Sequence, residues 1–66
     1  MELHYKDYTG SVNYSKADAV YYGRVLGIDG LLSYEGETKQ TLYQDFCDTV
    51  DDYLKMCKDR GILPQK

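Results

Sequence analysis

The sequence predicts an α+β fold: a three-stranded antiparallel β-meander packed on one long C-terminal α-helix. Three observations carry this. Residues Tyr8–Ser15 alternate, with Tyr8, Val12 and Tyr14 on one side and Thr9, Ser11 and Asn13 on the other, the mark of a half-buried strand. Ala19–Leu26 is rich in Val and Tyr. From Lys39 to Arg60 the apolar residues recur at helical spacing.

Taken in order, Met1–Asp7 is polar and shows no clear period. The strand over Tyr8–Ser15 ends at a short polar turn, Lys16-Ala17-Asp18, and Ala19–Leu26 returns as its hairpin partner. Gly27-Ile28-Asp29-Gly30 is a turn signal, and Leu31–Glu35 makes a third, shorter strand. Gly36 closes the sheet. Thr38 is a good helix N-cap, because its hydroxyl accepts from an unpaired backbone N–H. Gly61 stands where a left-handed C-terminal cap is wanted, with Pro64 shortly after. A short final strand at Ile62-Leu63 is compatible with the pattern.

At about 100° per residue, Met56, Leu42, Tyr53, Phe46, Cys57, Val50, Tyr43, Leu54 and Cys47 share one broad arc that must cover the sheet. Asp45, Asp48, Asp52 and Asp59 fall within about 60° of arc on nearly the opposite side. Like charges three and four residues apart repel by about 0.2–0.5 kcal/mol per pair, and Asp52 and Asp59 also oppose the helix dipole. Two readings fit this stripe: a docking face for a basic protein, and an ordinary solvated face flanked by Lys55 and Lys58. Tyr21 and Tyr22 are adjacent in a strand and point to opposite faces. One helix covers one face, so at least one of them lies on the open face. That tyrosine is either an interface residue, since Tyr is enriched at protein interfaces, or a surface side chain lying flat.

The chain has 66 residues and a net charge of -3, enough for one domain spanning residues 1–66. So short a chain buries only about 60% of its unfolded surface, so a second subunit or a partner is expected. The acidic balance argues against direct nucleic-acid binding, which needs clustered Lys and Arg, and suits a basic protein partner. Cys47 and Cys57 match no zinc spacing and lie about 15 Å apart along one helix, too far to bridge. They read as small buried hydrophobes in a reducing compartment. No apolar run approaches the roughly 20 residues of a membrane span. The expected location is the cytoplasm.

Enzyme signals are lacking. His4 is the single histidine and sits in the polar N-terminal segment, so no Ser-His-Asp or Cys-His arrangement can be built without it. The glycines precede strands rather than a helix and cradle no phosphate. The strand Thr9–Ser15 carries no carboxylate for a metal-dependent nuclease, and the helix carboxylates are expected to point away from the sheet. No catalytic residue, metal or cofactor is expected.

The runs Tyr8-Thr9-Gly10-Ser11-Val12, Tyr21-Tyr22-Gly23-Arg24-Val25-Leu26-Gly27-Ile28 and Ser33-Tyr34-Glu35-Gly36-Glu37-Thr38 resemble the start of HicB-family antitoxins. Val50-Asp51-Asp52-Tyr53-Leu54, followed by Cys57 and Gly61, continues the likeness, which covers about Tyr8–Pro64. The resemblance implies a reduced ribonuclease-H-like fold and a type II toxin–antitoxin role. The partner would be a HicA-type toxin, a small basic mRNA-cleaving RNase that the antitoxin domain occludes. An orphan, self-associating HicB-like domain is the alternative. HicB antitoxins usually continue into a ribbon-helix-helix or helix-turn-helix domain, and the sequence here ends at Lys66. Operator binding is therefore not expected of these residues, and the carboxylates of active ribonuclease H enzymes have no counterparts on the strands.

Overall fold

The computed structural model describes residues 2–28 and 31–64. Its elements are β1 (Glu2–Tyr5), β2 (Tyr8–Ser11), β3 (Asn13–Ser15), β4 (Val20–Arg24), β5 (Ser33–Gly36) and α1 (Lys39–Arg60). The predicted meander is present as an antiparallel sheet in the order β3-β4-β5, with Tyr14 opposite Tyr21, Tyr22 opposite Glu35 and Gly23 opposite Tyr34. Asp29 and Gly30 of the expected turn lie outside the described residues.

Three expectations are corrected. First, the N-terminal segment is a strand: β1 pairs antiparallel with β2, placing Tyr5 opposite Tyr8 and Glu2 opposite Ser11. Only Leu3 and Tyr5 of β1 pack on the core, so two apolar residues alternate with Glu2 and His4, too few to register as a period. Second, the strand expected over Tyr8–Ser15 is broken at Val12 into β2 and β3. At the break the Ser11 hydroxyl accepts the Arg24 N–H at 3.0 Å, so a side chain does what the ladder does elsewhere. The two sheets still meet, through a bridge between Gly10 and Val25 and a bond from the Leu26 N–H to the Thr9 carbonyl at 2.8 Å. Third, Ile62 and Leu63 form no strand and are exposed.

The helix is bounded as its sequence demands. Thr38 accepts the Thr41 N–H at 3.1 Å, and the Thr41 hydroxyl accepts the Thr38 N–H at 3.0 Å. This is a capping box with threonine in the place of the usual Glu or Gln. Gly61 adopts φ 67°; its N–H donates to Lys58 and the Ile62 N–H donates to Cys57, the paired bonds of a Schellman cap. Lys58 and Arg60 occupy the last turn, where cations favour the helix dipole.

The core is Tyr8, Val25, Tyr34, Leu42, Phe46 and Val50, with Cys57 buried farther along the helix. Its centre is a tyrosine laid over two glycines. The Tyr34 ring lies 5.2 Å from that of Phe46, and its hydroxyl donates to the Ser11 carbonyl at 2.7 Å and the Arg24 carbonyl at 3.2 Å. A Cβ on Gly10 would collide with the Tyr34 hydroxyl and the Phe46 ring, and one on Gly23 with the Ser11 backbone. Both glycines are there for close approach.

Candidate interaction surface

α1 covers one face of the sheet. Alternation along β4 sends Tyr21, Gly23 and Val25 toward it and Val20, Tyr22 and Arg24 away. The structure thus divides the tyrosine pair: Tyr21 packs against the core and lies tilted against Tyr14, ring centroids 4.8 Å apart, whereas Tyr22 is 46% exposed on the open face. There Tyr22, Arg24, Ser11, Asn13, Leu26, Leu31 and Ser33 line a shallow depression. Leu31 is exposed as well. Sequence reasoning did not single out Arg24 or Leu31; the spacing of Arg24 two residues after Tyr22 was the available signal.

The helix carboxylates do not form one stripe. Asp48, Asp52 and Asp59 are exposed and make no ion pair among the described residues. Asp45 is different: it is half-buried and its carboxylate accepts the Glu35 N–H of β5 at 2.9 Å. The edge strand β5 lies within its reach. Asp51, outside the expected stripe, also turns to the sheet. It pairs with Lys6 at 2.9 Å and accepts from the Tyr5 hydroxyl at 3.1 Å. The Lys6 ammonium holds the Asp51 carboxyl below its ordinary range, and Asp51 in turn raises Lys6.

Two of the edge strands, β1 and β5, are each met by one helix side chain. The Thr9 carbonyl faces β4, so the polar groups of His4, its partner across β1 and β2, face outward. The His4 carbonyl accepts from the Tyr43 hydroxyl at 3.4 Å, and the Glu35 N–H is taken by Asp45. Tyr43 and Asp45, two residues apart, thus cover the β1 edge and the β5 edge respectively.

Among the described residues no constellation of nucleophile, base and oxyanion donors is assembled. His4 is exposed, its Nδ1 3.4 Å from the Thr9 hydroxyl. Cys47 is half-buried and Cys57 buried, both free thiols. Among the described residues no group of three or more His, Cys, Asp and Glu side chains converges to hold a metal ion, and no helix is long and apolar enough to cross a membrane. Comparison of the chain with models of protein families, with curated proteins and with solved structures finds no match to any of them.

Proposed function

We propose that this domain is an antitoxin of the HicB type that binds and masks a small basic RNase of the HicA type in the cytoplasm. The observation that carries the reading is the exposed carboxylate row Asp48, Asp52 and Asp59. These three extend over about 16 Å of helix with no cation paired to them among the described residues. Such a row costs the free domain stability through like-charge repulsion at the Asp48–Asp52 spacing. It also raises the negative potential on one side of the molecule, which steers a basic partner to it. An RNase must present cations to phosphate, so a face that engages those cations also blocks substrate. The meander with its covering helix is compatible with the reduced ribonuclease-H-like arrangement that the resemblance implies.

The test is Asp48→Asn with Asp52→Asn, measured against the product of a neighbouring basic reading frame. Association slows and its salt dependence flattens, because steering is screened beyond about 8 Å at physiological ionic strength. Unchanged binding at low salt, together with a more stable domain, would mark the row as solvated surface.

A second reading, an orphan domain that associates with itself, is favoured by the open sheet face. Tyr22 and Leu31 are exposed side by side with Arg24 there, and Tyr and Arg are the residues that interfaces enrich.

A further inference from the structure

We propose that β1 is exchanged between two copies of this chain, with the Lys6–Asp7 turn as the hinge. The inference is independent of any toxin.

The first observation is the turn. β1 and β2 are joined by only Lys6 and Asp7, and both have positive φ, 49° and 69°. A two-residue hairpin of this kind demands left-handed backbone at both positions, which is why Asn-Gly is favoured there. Asp tolerates this conformation but lysine does not, so Lys6 carries the steric conflict of its Cβ with the backbone. The conflict disappears once the turn opens into an extended segment. Short hinge loops under strain are the usual invitation to exchange. Ala19 has φ 53° too, but it lies in the longer Lys16–Ala19 turn in the middle of the meander, where opening would split the sheet.

The second observation is what holds β1 in place. Its contacts all run to the remainder of the fold: the ladder to β2, Leu3 and Tyr5 on the core, the Tyr5 hydroxyl on Asp51 and Tyr43 on the His4 carbonyl. Every one of these is restored when β1 of a second copy occupies the same slot. Closed monomer and exchanged dimer then differ in the two hinges, where opening also gives up the exposed Lys6–Asp51 pair, worth little at the surface, and in the loss of translational freedom.

The third observation concerns the outer edge of β1. The Tyr43 hydroxyl donates to the outward His4 carbonyl, and exchange leaves that bond in place.

The decisive experiment is the His4→Cys, Thr9→Cys double variant, oxidised after refolding at high and at low protein concentration. His4 and Thr9 are cross-strand partners, so the disulfide lies within one chain in the closed form and between chains in the exchanged form. Covalent dimer on a non-reducing gel, linked by this pair in peptide mapping and growing with concentration, is expected. The chain with its native Cys47 and Cys57, treated in parallel, sets the background. Exclusively intrachain disulfide, even where light scattering shows a dimer, would overturn the proposal. The hinge is tested separately, with circular dichroism to verify folding. Lys6→Gly relieves the closed turn and weakens the dimer by about tenfold. Lys6→Pro, whose ring forbids positive φ, shifts the population toward dimer. An unchanged monomer–dimer ratio in both folded variants would also sink it.

Discussion

The Tyr34 hydroxyl donates to the Ser11 carbonyl at 2.7 Å, across a passage that exists only because Gly10 and Gly23 have no side chains. The two strands and the tyrosine are mutually dependent. Gly10→Ala would force the methyl group against the Tyr34 hydroxyl and the Phe46 ring. Overpacking of this kind costs about 1–3 kcal/mol, a large share of the stability of so small a domain. Thermal denaturation followed by circular dichroism should show a markedly lower midpoint.

Tyr34 also sets an alkaline limit. Burial raises its pKa from 10.0 to about 12. A tyrosine that ionises less readily folded than unfolded contributes stability that is fully present below pH 10 and lost as pH rises through about 12. Denaturant midpoints measured from pH 8 upward should fall within that window. Tyr34→Phe removes the hydroxyl that serves two carbonyls, lowers stability by about 1–2 kcal/mol at neutral pH and flattens the alkaline decline.

Tyr8 makes the opposite case. It is buried against Tyr53, edge to face at 6.1 Å, and its hydroxyl is buried with no hydrogen-bond partner among the described residues. A buried hydroxyl left unpaired costs about 1–3 kcal/mol. Tyr8→Phe keeps the ring and deletes the unpaired group. It should stabilise the domain by about 1 kcal/mol; a drop in the urea midpoint would show that the hydroxyl is bonded in solution.

The carboxylates of α1 should separate into two classes. Asp45→Ala leaves the Glu35 N–H without its acceptor, so the Glu35 amide should exchange faster with solvent and stability should fall by about 1 kcal/mol. Asp48→Asn removes a repelling charge and touches no backbone group, so the same measurements should stay level or improve. Equal behaviour of the two variants would contradict the division.

Asp51 should report on β1 through pH. Lys6 first, and Tyr5 second, hold its folded pKa below the ordinary 3.8. Its contribution is therefore present above pH 3.8 and is lost as pH falls through the lowered folded value. Amide exchange in β1 should accelerate at low pH before that of β4 does. Asp51→Asn should bring the same loosening at neutral pH.

Most of the architecture was legible where chemistry is local. The helix bounds followed from Thr38 and Gly61 because caps are properties of single residues. The meander followed from alternation because each strand buries one face. What escaped depends on partners distant in sequence. β1 has only Leu3 and Tyr5 to bury, and its turn opens on Lys6, which does not signal left-handed backbone. The break at Val12 arises from the encounter of Ser11 with Arg24, which no window of the sequence contains. Asp45 and Asp48 look alike on a helical wheel. Only the position of β5 decides that the first is a backbone acceptor and the second a free charge.

The bonds from Tyr43 and Asp45 to the outer strands carry a consequence for biosynthesis. Among the described residues every strand precedes α1, so a nascent polypeptide that has emerged only as far as Gly36 holds the strand residues without Tyr43 and Asp45, and the margins of β1 and β5 lack those bonds. Uncovered strand margins are templates for pairing with neighbouring chains. Until Tyr43 and Asp45 have emerged and docked, those two margins stay open to a neighbouring chain.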